Sequence, residues 1–183
     1  MVSGKYRTIV ADPAWNVKRG PDWGSGGKSR DLPYPTMSVE EIAALPVATL
    51  AEKGAHLYIW TINAYIEETY EIARQWGFRP STLLTWCKEP HGIGLGGTYV
   101  QTTEHILFCR RGVFPANNRV DTTWWRWPRG KHSVKPEAFL DLVESVSPGP
   151  YLEMFARRQR LGWDTWGNEA LNHVEIEERI EAP

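Results

Sequence analysis

Apolar residues fall in short runs divided by polar, glycine-rich and proline-rich stretches, and the runs follow two different periods. Thr8-Ile9-Val10-Ala11, Ala55 to Thr61, Ser81 to Lys88, Thr103 to Cys109 and Tyr151 to Ala156 are nearly continuous apolar runs, as strands covered on both faces require. Helical spacing lies between them. Ser38-Val39-Glu40-Glu41 is a capping-box pattern opening a short helix with Ile42 and Leu45 inward. Asn63 is placed to cap a helix whose Ile66, Tyr70, Ala73 and Trp76 share a face, and Gly77 ends it. Lys135-Pro136 starts a third, with Phe139, Leu140 and Val143 as its apolar face, and Ser147-Pro148-Gly149-Pro150 stops it. The order β-α-β-α-β-β-α-β predicts an α/β, doubly wound sheet. Residues 16–35 and the Gly-rich stretch holding His91, Gly92, Gly94, Gly96 and Gly97 read as loops.

This organisation fits one domain over residues 1–169 with an acidic tail at 170–183, within a chain of 183 residues. No apolar run approaches the roughly 18 residues of a membrane span and no charged-then-apolar leader is visible, so a cytoplasmic protein is expected. Cys87 and Cys109 lie far apart without metal-ligand spacing and read as reduced core thiols; neither a disulfide nor a metal is implied. A net charge of −1 is not that of a nucleic-acid packaging protein, so a polyanion would have to be met locally. Arg110, Arg111, Arg119, Arg126, Arg129 and Lys131, against Asp121 alone, make residues 110–131 such a basic stretch. Within it Trp124-Trp125-Arg126-Trp127 gathers three of the ten tryptophans with a cation, a composition suited to stacking unpaired bases or to anchoring a loop.

The candidate chemistry sits at Asp12-Pro13-Ala14-Trp15, directly after the first strand, and ligands of open α/β sheets bind at that carboxyl end. An exocyclic purine amine is a poor nucleophile because its lone pair is delocalised into the ring. A carboxylate at Asp12 and the carbonyl of Pro13 could each accept one amine N–H and so turn the lone pair toward an electrophile. Trp15 would offer a flat face to the base, and the alternative is a turn in which Asp12 caps and Trp15 is core.

These residues resemble the D-P-P-W signature of the adenine N6-methyltransferases of the MT-A70-like family, which spans mRNA-adenosine methyltransferases and bacterial and phage DNA relatives. Ala14 replaces the second proline. The resemblance continues through Leu32-Pro33-Tyr34-Pro35-Thr36-Met37-Ser38, Leu57-Tyr58-Ile59-Trp60-Thr61, Thr103-Glu104-His105-Ile106-Leu107, Ser133-Val134-Lys135-Pro136, Leu152-Glu153-Met154-Phe155-Ala156-Arg157 and Gly162-Trp163-Asp164-Thr165-Trp166-Gly167-Asn168-Glu169. It implies a compact, circularly permuted class I (Rossmann-like) methyltransferase fold, mostly parallel, with the catalytic strand first, the cofactor strand last and two strands of the full fold missing. It implies S-adenosylmethionine as cofactor, met by Lys135, Arg157, Asn168 and Glu169, with Asp12 also near the methionine ammonium. Lys135 at a helix start opposes the helix dipole, which a solvated lysine would not choose. Glu153 is either an edge residue or a further cofactor contact, and Tyr34, Trp124, Trp125, Arg126 and Arg129 are candidate substrate contacts. His105 and His132 show no partner in the sequence.

Three functions remain open: adenine methylation on DNA, favoured by the compact chain; the same chemistry on RNA; and a catalytically silent partner subunit that binds nucleic acid or braces an active methyltransferase. By analogy with small enzymes of this sort, a homodimer or a partner subunit would widen the nucleic-acid platform. A dinucleotide-dependent dehydrogenase is excluded by the lack of a G-x-G-x-x-G opening a helix.

Overall fold

The computed structural model describes residues 5–17, 35–89, 98–130, 134–167, 170–174 and 176. Tyr34, Lys131, His132, Asn168 and Glu169 lie outside the described residues, as do most of the 16–35 loop and the Gly-rich stretch.

The first strand, β1 (Tyr6–Ala11), leads through two short helices, α1 (Val39–Ala44) and α2 (Val47–Leu50), into β2 (Ala51–Thr61). A 3-10 turn at Asn63–Tyr65 runs into α3 (Ile66–Gln75), followed by β3 (Arg79–Glu89), β4 (Thr103–Arg111) and β5 (Trp124–Pro128). Helix α4 (Glu137–Val146) precedes β6 (Tyr151–Met154) and β7 (Trp163–Trp166). The capping box of α1 is formed: Ser38 Oγ accepts from Glu41 N–H, and the Glu41 carboxylate accepts from Ser38 N–H. Asn63 is not a cap; the N-cap of α3 is Tyr65, which makes no side-chain cap bond, and the Asn63 amide instead bonds Gln101 and His105. Gly77 does end α3, at φ +80°, where a side chain would be strained.

The strands form one sheet in the order β5-β3-β4-β2-β1-β6-β7. β1 is parallel to β2 and β6, β6 to β7 and β3 to β5, while β4 is antiparallel to β2 and β3. Every strand but β4 therefore points the same way, the mostly parallel sheet expected. The two strands thought missing are present. Trp124–Pro128 and Trp163–Trp166 escape a reading by periodicity because each is short and carries tryptophan on both faces or at both ends, giving no polar alternation.

Alternation along the strands divides the core. Ile9, Ala11, Leu57, Ile59, Leu107, Cys109, Leu152 and Met154 face α1, α2 and α3, whose Ile42, Val47, Ile72 and Trp76 complete that layer. Val10, Tyr58, Trp60, Ile106 and Phe108 face α4 through Phe139, Leu140 and Val143. Residues beyond 169 continue the fold: His173 N–H donates to Thr165 O along β7, and Val174 and Ile176 pack on the first layer.

Candidate active site

From β1 the chain departs through β2 toward one edge of the sheet, and from β6 through β7 toward the other. The boundary between β1 and β6 is thus the topological switch point, and its carboxyl end is where a ligand crevice is expected. Asp12 stands there, its N–H reaching Met154 O at 3.4 Å.

The loop after Asp12 is held by its own backbone. Trp15 N–H donates to Pro13 O (2.8 Å) and Val17 N–H to Trp15 O (3.0 Å), two consecutive three-residue turns. Met37 N–H donates to Ala14 O (2.9 Å), so the Thr36-Met37-Ser38 segment braces the tetrapeptide. A carbonyl oxygen has two lone pairs, so Pro13 O retains one for a second donor. Trp15 departs from expectation. Its indole is 6% exposed, donates Nε1–H to Trp60 O at 3.1 Å and stacks on Tyr65 with centroids 4.9 Å apart. It is a core residue rather than an open platform, because satisfying the indole N–H turns the ring inward.

Asp12 instead meets a cation. Lys135 Nζ lies 2.8 Å from Asp12 Oδ1, 3.2 Å from Glu104 Oε2 and 5.1 Å from the centre of the Trp60 ring, while Lys88 Nζ holds the other Glu104 oxygen at 2.6 Å. Two carboxylates and two ammonium groups thus alternate in a chain of near-neutral sum. Burial pushes the Asp12 carboxyl above its usual range, against the pull of Lys135 and the smaller pull of Arg157. For Glu104 the two flanking lysines outweigh burial and hold the carboxyl below the usual range. For Lys135 the two carboxylates outweigh burial, so the ammonium stays charged. The lysine that opposes the α4 dipole is therefore stabilised by two acids across the sheet. Glu104 and Lys88 were not singled out from the sequence. They are adjacent only through the β3–β4 pairing, which sets Trp86 opposite Glu104 and Cys87 opposite Thr103.

Glu153 occupies the α4 side of β6, in register with Val10 and Thr165. Among the described residues its buried Oε2 meets no hydrogen-bond partner, and burial raises its carboxyl to about 7, with Asp12 and Glu137 pushing the same way and Arg158 and Arg160 opposing. A buried carboxylate oxygen at a switch point is an acceptor suited to a ligand's donor. Two further features mark this end of β6. Phe155 holds φ +63°, a region a non-glycine residue rarely adopts, and a Cβ on Gly167 would come within 2.4 Å of Ala156 O. The β6 and β7 ends therefore approach as closely as backbone allows.

The remaining candidates divide by location. Arg157 contributes to the charge around Asp12. Trp124, Trp125 and Arg126 form the edge strand β5 rather than a loop, and Arg129 follows it, exposed, with its N–H on Glu89 O. This edge is separated from β1 by β3, β4 and β2, so these residues stand away from Asp12 itself, although Lys88 at the other end of the charge chain lies on β3, the strand that pairs with β5. His105 has partners the sequence hid: its Nε2 lies 2.9 Å from Asn63 Oδ1 and its Nδ1 3.2 Å from Thr85 Oγ1.

Comparison with known proteins agrees with the architecture. The MT-A70 family model matches residues 6–169. Among similar proteins, the type II methyltransferase M.MunI of a Mycoplasma species is 29% identical, the alignment covering 94% of this chain and 81% of that protein. A putative N(6)-adenosine-methyltransferase MT-A70-like protein of Medicago truncatula is 26% identical over 99% of this chain, and the human N(6)-adenosine-methyltransferase catalytic subunit METTL3 25% over 92%. The chain spans only 29% of the length of each of these two. With a match running from the first residue of β1 to just past β7, this chain belongs to the MT-A70 family of methyltransferases.

Proposed function

We propose that this chain transfers a methyl group from S-adenosylmethionine to N6 of adenine in DNA. The observation that carries the reading is the Asp12 carboxylate at the tip of β1, ion-paired to Lys135 and next to a Pro13 carbonyl with a free lone pair. Asp12 and Pro13 O accept the two amine N–H groups and orient the nitrogen lone pair. Asp12, made a better base by burial, holds the proton that N6 gives up.

The donor set suits S-adenosylmethionine, which carries a carboxylate and two cationic centres. Lys135 and Arg157 are cations for the carboxylate and ribose end, the buried Glu153 Oε2 is an acceptor for a cationic donor, and the glycine-tight end of β7 leads into Asn168 and Glu169 for the adenosine. When bound, the cofactor supplies an electrophilic methyl on its sulfonium. Tyr34, Trp124, Arg126 and Arg129 serve the nucleic acid, while Trp125, a candidate by sequence, stacks on Trp127. DNA over RNA is supported by the match to most of the length of the type II methyltransferase, and the same relative supports a cytoplasmic site of action in a bacterial or phage-infected cell.

Incubation with methyl-labelled cofactor and matched adenine-containing DNA and RNA oligonucleotides tests the reading: labelled N6-methyladenine in DNA supports it, and label only in RNA transfers it to that polymer. A chain that binds the cofactor weakly and labels neither is a silent partner subunit.

A further inference from the structure

The carboxyl edge of the sheet does not end at Asp12. Because β5 runs parallel to β3, its carboxyl end opens on the same side as that of β1, and β4 enters the sheet from that side. Four strand spacings separate β1 from β5, a distance of about 19 Å. Trp124, the first residue of β5, is in register with Thr85, which pairs through His105 with Thr61 at the end of β2, so it stands level with the tip of β1. It is 54% exposed, with the Arg126 guanidinium 5.8 Å from its ring centre. An indole this open is unusual in a chain that buries Trp15, Trp60, Trp76, Trp86 and Trp163. The opposite face of β5 fixes it in place: Trp125 and Trp127 stack at 5.4 Å and 9°, Trp127 packs on Phe139, and Trp127 O accepts from Trp86 Nε1–H at 2.9 Å. Thus the edge strand is anchored on one face and presents two flat groups, an indole and a guanidinium, on the other. Arg126 and Arg129, both exposed, give the edge positive charge, and Tyr99, 82% exposed, lies four residues before β4 begins at this same side.

We infer that the polynucleotide bound here is an unpaired strand that crosses the carboxyl edge from β1 to β5 and stacks a base about three nucleotides from the target adenine on the Trp124–Arg126 face. The inference rests on the methyl-transfer reading for the position of the target base. A stacked strand advances about 3.4 Å per nucleotide and an unstacked one up to about twice that, so the 19 Å span needs about three unstacked nucleotides. Only an unpaired base offers its π-face to an indole, since in a duplex both faces are taken by neighbours. Arg126 both stacks and neutralises a phosphate, which a hydrophobic protein partner would not need.

The test uses the full chain and single-stranded oligonucleotides with one adenine, shortened stepwise on the 5′ side in one series and the 3′ side in the other. Wild type is expected to show KM rising roughly tenfold in one series as the flank falls below three nucleotides. Trp124→Ala should carry the high KM at every length, and Trp124→Phe should restore the step. A fluorescent base analogue at the third flanking position should be quenched on binding by wild type and not by Trp124→Ala, a readout that needs no methyl transfer. No quenching, a flat length series, or a duplex with KM as low as the unpaired strand would overturn the inference, as would loss of a dimer in Trp124→Ala, which would assign the edge to a second copy of the chain. Quenching without any methylation would leave the docking intact and refute the catalytic reading instead.

Discussion

At the level of single residues, the two acceptors proposed for the amine were legible because both belong to consecutive residues after an apolar run, and main-chain position follows from sequence adjacency. Trp15 was not, since whether an indole faces a base or a neighbouring strand depends on the Trp60 carbonyl, 45 residues away. Asp12→Ala should lower kcat by at least about 10²–10³-fold, the usual scale for losing one fixed hydrogen-bonding group at the reacting centre. It should leave the thermal midpoint little changed, because Lys135 keeps Glu104 as a partner. Initial rates with labelled cofactor, beside a melting curve, measure both. Glu153 supports a separate expectation. Its carboxyl is raised from 4.5 to about 7 in the folded chain, so the folded state favours the protonated form. The associated stability is complete below about pH 4.5 and is lost as pH rises to 7, where ionisation costs about 3 kcal/mol. Glu153→Gln should therefore be more stable than wild type at pH 8 and equal to it near pH 4.5, in urea titrations at the two pH values.

Among the elements, α4 was placed from its apolar spacing, but the way it is held was not visible. In the fold Arg160 reaches back along α4, with Nε on Glu144 at 2.8 Å and Nη2 on Asp141 at 2.5 Å, while Trp163 Nε1 donates to the same Glu144 at 2.7 Å. These acids recur three or four residues apart from Glu137 to Glu144, so they form one helical stripe, and the connection from β6 to β7 is strapped across it. The strap matters because α4 starts at the residue after Pro136 and so aims Lys135 at Asp12. Arg160→Ala should cost about 1–2 kcal/mol by denaturant unfolding, the scale of a charge-assisted network that leaves its acids partly solvated. It should also raise KM for the cofactor more than it lowers kcat, since what loosens is the element carrying Lys135. Strand β5 was missed for a different reason: with tryptophan on both faces, the single polar side chain of Arg126 does not mark a period of two.

For the whole molecule, the charge balance decides how it finds its substrate. A chain with net charge −1 has no long-range field to draw in a polyanion, and among the described residues its cations are largely committed: Lys135 and Lys88 to carboxylates at the site, Arg160 to α4, Lys5 to Asp164. Exposed positive charge toward the substrate comes from Arg126 and Arg129 at the β5 edge, and Arg126 sits 3.7 Å from Glu89, a pairing loose enough to yield to a phosphate. Affinity must then come mainly from stacking. Each phosphate neutralised on a single strand contributes about 0.7 to the slope of log affinity against log salt concentration. Two or three contacts give a slope of about −1.4 to −2, shallow for a nucleic-acid-binding protein. Titration of a labelled unpaired oligonucleotide from 50 to 300 mM salt should return that value, with Arg126→Ala reducing it by about 0.7 and Trp124→Ala weakening binding at every salt concentration without changing the slope. A slope of −5 or steeper would mean that the strand is held by phosphates over a wider basic face, and that the edge tryptophan is incidental to binding.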